Sequence, residues 1–139
     1  MCGRTPLREE IISVLIIQPE WLQKILEGIK TWEIRGSKSK KAGQVIYLAG
    51  SGTSTIYARV KFEACHGPLT QNEWDANVRR HCVMMHTRAY GAHTYAYQFG
   101  ELEVARYPIL FMRNSAVIFQ NVPIGHAELT NAMFEAPKR

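Results

Sequence analysis

Cysteine is scarce in this chain of 139 residues: Cys2, Cys65 and Cys82 make an odd count at no regular spacing. A disulfide framework is therefore not expected, and a reducing, cytoplasmic setting is the simpler reading. The pairings Cys65-His66 and His81-Cys82, with His86, lack the C-x-x-C or H-x-x-x-H spacing that brings two ligands to one face, so neither a metal site nor a cofactor is expected. Long apolar runs are also missing. Ile11 to Ile17, broken by Ser13, is too short for a membrane span or a signal h-region, so no membrane partner is expected. Gly50-Ser51-Gly52 is not a phosphate loop, because no Lys-Ser/Thr follows it. No internal repeat or low-complexity tract is visible. Acidic residues are the minority, 12 against 17 Lys and Arg, giving a formal charge of +5. Such a mild basic excess fits a polyanionic partner without requiring one.

What is present suffices for one compact core: 46% of residues are hydrophobic. Residues 1–10 read as a lead-in, 11–122 as the domain and 123–139 as a tail with at most one helical turn. Ile11 to Ile17 is β-branched and reads as a buried strand. Pro19 suits a first helical turn, and Trp21, Leu22, Ile25, Leu26 and Ile29 recur at helical spacing up to a stop at Gly28. Strands are expected at Thr31–Arg35, Gln44–Ala49 and Thr55–Cys65. In the last, Ile56, Ala58, Val60 and Phe62 alternate with Tyr57, Arg59, Lys61 and Glu63, which predicts a sheet packed on one side. Thr70 and Glu73 form a capping-box pattern for a second helix with a buried line of Trp74, Val78 and Cys82. Met84 to His93 has no steady period. Thr94–Phe99 is a strand that a bend at Gly100 carries on to Tyr107, with Pro108 limiting its pairing. Ala116–Gln120 is the last strand. Five to seven mostly antiparallel strands and two main helices make an α+β domain, its sheet curled into a small β-barrel.

The junction Gly28-Ile29-Lys30-Thr31-Trp32-Glu33-Ile34-Arg35 carries the chemistry. On a strand Glu33 and Arg35 share one face, while Trp32 and Ile34 face the core. Lys30 does not suit that core face, so it belongs just before the strand, where its ammonium swings toward Glu33. A carboxylate flanked by two cations at the mouth of a cleft is the result. One use is recognition: Glu33 accepts from the donor edge of a base while Lys30 and Arg35 hold phosphate. The other is catalysis, with Lys30 as base and Glu33 in proton transfer. A structural ion pair on a half-exposed strand is the plain alternative.

Gly28-x-Lys30-x-x-Glu33-x-Arg35, after a helix opened by Gln18-Pro19-x-Trp21, resembles the ASCH domain family, whose G-x-K-x-x-E-x-R signature it matches throughout. The resemblance spans roughly Val14 to Val122. It implies a PUA-like β-barrel, a helix over one opening, and a ligand cleft beside that helix. Some small ASCH proteins are amidohydrolases acting on N4-acetylcytidine through a Lys, a Thr and a Glu. Here Glu33 stands where those have the Thr, and the second helix offers Glu73 and Asp75. Others resemble RNA-binding modules, and some are linked to RNA cleavage, for which His66, His81, His86 and His93 are the available histidines.

Lys38, Lys40 and Lys41 follow the motif and, with Arg79 and Arg80, can form a basic rim. Trp21, Tyr95 and Tyr97 are the candidate stacking platforms, against core packing as the alternative. Ser51 can reach the cleft from its strand end. The primary expectation is an RNA- or nucleotide-binding domain. The alternatives are a small hydrolase using Lys30 and Glu33, and a protein-interaction adaptor.

Overall fold

The computed structural model describes residues 10–111, 119–124 and 133–137. Within them, seven strands form one mixed sheet. β1 is Glu10–Ile17, β2 Trp32–Arg35, β3 Val45–Gly50, β4 Thr55–His66, β5 Tyr95–Leu110, β6 Phe119–Ile124 and β7 Phe134–Glu135. Helices α1 (Pro19–Leu26), α2 (Gln71–Ala76) and α3 (Val78–His81) complete the α+β domain. The order β2-β5-β4-β3-β1-β6, with β7 on β5, leaves an open path in the described residues, compatible with the curled, barrel-like form expected. The pairing of β1 with β3 is parallel and the others are antiparallel.

β1 is buried from Ile12 to Ile17 because it feeds two cores. Leu15 and Ile17 join Leu22, Ile25, Leu48 and Phe62 in one cluster, while Ile12, Val14 and Ile16 join Ile56, Ile109 and Phe134 in another. The one-sided packing expected of β4 holds from Ala58 to Glu63, where Lys61 and Glu63 are exposed, but Ile56 crosses to the second cluster at a register shift and β1 is covered on both faces. Phe134, in the stretch expected as a tail, is part of that second cluster. The strand expected at Ala116–Gln120 is described over Phe119–Ile124, its expected start lying outside the described residues, and a further short strand, β7, follows it.

α1 forms where Pro19 enters the first turn and buries Leu22 and Ile25, each worth about 1.5–3 kcal/mol. It ends as expected at Gly28, whose φ of 77° turns the chain so that the next N–H, of Ile29, donates to the Lys24 carbonyl at 3.0 Å. Ile29 is 53% exposed, a correction to its place on the helix's buried face: it follows the turn and points outward.

The capping box of Thr70 and Glu73 is present. The single helix expected after it is two. At Asn77 the backbone leaves helical geometry, and the Asn77 side-chain amide donates to the Glu73 carbonyl at 2.7 Å, competing with main-chain pairing. The break rotates the buried line. His81 is fully buried against Trp74, whereas Val78 and Cys82 are only half-buried. β5 continues through Gly100, and the expected limit near Pro108 is a register shift between Ala58↔Val104 and Ile56↔Ile109.

Candidate functional site: a charged cleft beside the first helix

Three chain ends meet at one corner of the sheet. β1 closes with Ile16 and Ile17, β3 closes at Gly50, and β2 closes with Arg35. The Ser51 N–H donates to the Ile17 carbonyl at 2.8 Å, and Arg35 Nη2 donates to the Ile16 carbonyl at 2.7 Å. A cleft of about 460 Å³ opens there, lined by Gln18 and Trp21 of the α1 entry, by Lys30, Glu33, Ile34, Arg35 and Ser51, and by Val83, Met85, Ala89 and Tyr90. Its volume falls in the range of small-molecule sites, roughly 300–1,000 Å³.

Lys30 leaves the α1 turn with its own N–H bonded to the Lys24 carbonyl at 3.1 Å. It stands two positions before β2, as its unsuitability for the core face predicts. Its Nζ lies 3.7 Å from Glu33 Oε1, 5.0 Å over the Trp21 ring, and donates to the His81 carbonyl. Glu33 Oε2 accepts from Arg35 Nη2 at 2.7 Å. Lys30 and Glu33 are only 2% and 4% exposed, so the carboxylate is held between two cations inside the cleft wall rather than at its mouth. Burial lowers the Lys30 pKa below the usual lysine value, and Glu33 opposes that shift. Arg35 Nε is buried without a hydrogen-bond partner among the described residues.

His81 fixes the opposite wall. The Val83 N–H donates to its Nδ1 at 3.0 Å, so Nε2 carries the proton and donates to the Trp74 carbonyl at 2.8 Å. Its ring stacks on Trp74 at 4.0 Å, and burial lowers its pKa. The neutral imidazole is therefore the form that ties α2 to the wall beginning at Val83.

Of the residues singled out in the sequence, Trp21, Lys30, Glu33, Arg35 and Ser51 meet in this cleft. The others do not line it. Tyr97 is a correction: it is 4% exposed, stacks on Phe62 at 5.0 Å and donates its hydroxyl to the Ser37 carbonyl, so it anchors the lysine loop instead of offering a platform. Tyr95 packs against the same core cluster and over Gly67. Lys38 and Lys40 are exposed and Lys41 half-buried in that loop, while Arg79 is exposed on α3. Trp32 and Trp74 are core, as the alternation implied. Among the described residues no group of three His, Cys, Asp or Glu can hold a metal, and no helix is long and apolar enough to cross a membrane.

The wall of Val83, Met85, Ala89 and Tyr90 escaped sequence reading because its stretch has no period. Only the structure shows its mark, apolar side chains left exposed: Met85 at 62% and Tyr90 at 50%.

A mixed sheet with a helix at one corner and a ligand-sized hollow beside that helix defines a PUA-like domain. The chain belongs to the ASCH domain family, whose model matches residues 15–109, a family thought to bind RNA. Among solved structures it is similar to ASCH from Zymomonas mobilis, with 17% identity over 70% of this chain and 72% of that one, at a TM-score of 0.61. It is likewise similar to a serine-to-alanine mutant of ZmASCH from the same organism, with 21% identity over 76% and 77% of the two chains and a TM-score of 0.61. A tyrosine-to-phenylalanine mutant gives 21% identity, 74% and 76% coverage and a TM-score of 0.60. Among curated proteins no relative matches.

Proposed function

We propose that this cleft binds RNA, or a nucleotide-like piece of it, with Lys30 and Arg35 supplying the attraction and Glu33 holding both in place. The observation that carries the reading is the buried Lys30–Glu33–Arg35 cluster. Two cations against one carboxylate leave an excess of positive charge in a wall of low polarizability, and a phosphate or base carbonyl entering the cleft offsets it. Both Glu33 oxygens already face cations, so Glu33 acts here as their anchor rather than as the reader of a base edge. Trp21 on one side and Tyr90 with Met85 on the other supply flat and pliable apolar walls for a planar ring. The loop of Lys38, Lys40 and Lys41 extends the positive field along a bound strand.

The test is fluorescence anisotropy of a labelled single-stranded RNA with unlabelled mononucleotides as competitors. Arg35→Gln is expected to weaken binding at least tenfold, and mononucleotides are expected to compete. Unchanged affinity in Arg35→Gln would overturn the reading.

One observation favours a second, catalytic reading: Lys30 is desolvated enough to have its pKa lowered, which suits a proton acceptor. On that reading Lys30 and Glu33 serve a small hydrolase. Turnover of N4-acetylcytidine or cleavage of RNA by the wild type, abolished in Lys30→Met, is its signature.

A further inference from the structure

A second hollow lies across α3 from the cleft, and its chemistry differs from that of every other hollow described above. It measures about 570 Å³ and is lined by Thr31, Trp32, His66, Asn77, Arg80 and Gln98, with Phe99 behind them. We propose that this groove is a second contact for the same RNA chain, taking a nucleotide beyond the one in the cleft. The inference rests on the RNA reading of the cleft.

Three features of the groove point to a nucleotide. The first is a π surface. His66 stacks on Trp32 with ring centroids 5.0 Å apart and planes 24° apart; Trp32 is core at 8% exposed, so the half-buried His66 ring, backed by Trp32, is the surface offered to the hollow. Base stacking on such rings is tolerant of sequence and is a main source of single-strand affinity. The second is a positioned cation. Arg80 Nη1 donates to Asn77 Oδ1 at 2.5 Å, which holds the guanidinium 5.8 Å from the Trp32 ring centroid. Arg80 is nonetheless exposed, so its other N–H groups face a ligand. The third is a polar edge. His66 Nε2 pairs with Gln98 Oε1 at 2.6 Å, and Gln98 Nε2 reaches Glu63 at 3.3 Å, so the amide is orientated before anything binds.

The electrostatics agree. Arg80 is the charged residue among those lining this groove, while Glu63 stands behind Gln98 at 3.3 Å and does not line it. A hollow of about 350 Å³ elsewhere on the sheet is lined by Glu63, Glu101 and Glu103, which repel a phosphate backbone.

Position links the groove to the cleft. The Thr31 N–H donates to the Arg80 carbonyl at 3.0 Å, and Lys30 donates to the His81 carbonyl one residue on. Consecutive residues of the motif thus grip consecutive carbonyls of α3. The cleft takes Val83 beyond the end of that helix, and the groove takes Arg80 within it and Asn77 at its N-cap. A helix is roughly 10–12 Å across with its side chains, a span that a few nucleotides cover. Arg79 and Arg80 are both exposed on this helix.

The experiment compares a mononucleotide with single-stranded hexanucleotides by anisotropy and calorimetry, in wild type and in Arg80→Gln, His66→Ala and Arg35→Gln. Wild type is expected to bind the hexanucleotide at least tenfold more tightly than the mononucleotide. In Arg80→Gln that ratio falls fivefold or more, and the slope of log affinity against log salt becomes shallower by about 0.7. His66→Ala reduces the ratio with less change in slope, since it removes stacking rather than charge. If Arg80→Gln keeps the wild-type ratio while Arg35→Gln loses binding, the groove is not an RNA contact and the cleft reading stands. If wild type binds neither ligand, both readings fall. Circular dichroism melting confirms that each variant is folded; Arg80 is exposed, so its variant keeps the test open should His66→Ala unfold.

Discussion

The ammonium of Lys30 is bound by the main-chain carbonyl of His81, 51 positions later in the chain. That link sets Lys30 apart from an ordinary helix-end lysine. It draws the charge inward, over Trp21 and beside Glu33, and makes the cleft floor depend on the placement of α3.

Removing either end of the buried cluster has unequal consequences. Glu33→Gln leaves the buried Lys30 and the half-buried Arg35 without their shared anion and is expected to destabilise the fold by about 3–5 kcal/mol. Lys30→Met keeps Arg35 paired with Glu33 but leaves the buried His81 carbonyl without its ammonium donor, so a loss of about 1–3 kcal/mol, smaller than that of Glu33→Gln, is expected. Urea denaturation at neutral pH compares the two. Equal losses would show that the cluster is not held by Glu33.

His81 predicts a direction for the pH dependence. Its folded pKa lies below the ordinary value of 6.5, because burial disfavours the imidazolium and Val83 already donates to Nδ1. The unfolded chain therefore binds more protons as pH falls through that value. The contribution of His81 to stability is full above 6.5 and is lost as the pH drops toward the folded pKa. Denaturation across that window is expected to show falling stability in wild type and a flatter profile in His81→Gln. A flat wild-type profile would mean that the imidazole titrates freely.

Tyr90 packs over Gly36, the residue after Arg35. A Cβ added at Gly36 would stand 2.8 Å from the Tyr90 ring. Gly36→Ala is expected to push that ring and to weaken ligand binding several-fold, with at most about 1 kcal/mol lost in stability. Binding titrations beside thermal melts separate the two effects. Wild-type affinity in this variant would remove Tyr90 from the binding wall.

Lys38 and Lys40 lie exposed outside the cleft, so on the proposed RNA reading they would act on the RNA backbone alone. Lys38→Gln with Lys40→Gln is expected to make the salt dependence of RNA binding shallower by about 0.7 for each phosphate no longer neutralised. The comparison is made by anisotropy titrations at several salt concentrations. An unaltered slope would leave this loop as a solvated turn.

Much of the site was legible because its local pieces depend on near neighbours. Gly28 had to end α1, and the alternation from Trp32 to Arg35 placed Glu33 with Arg35. The mismatch of Lys30 with the core face put it ahead of the strand. Tyr97 was misread because its alternation could not tell whether Phe62 would come to lie against its ring. The second helix was misread because its four-residue spacing ignored the competing side-chain hydrogen bond of Asn77.

By itself the sequence determined where α1 starts and stops and where the second helix is capped, which faces of β2 and β4 are apolar, and that a lysine, an acid and an arginine meet at one junction. These follow from capping, backbone freedom and periodicity, all of which act within a few residues. Only the tertiary structure decided that Lys30 and Glu33 would be buried, that His81 would supply the carbonyl for the ammonium, and that 83–90 would form the far wall. Those outcomes depend on strand order and on where two short helices land against the sheet, and contacts between residues far apart in sequence leave no local period to read.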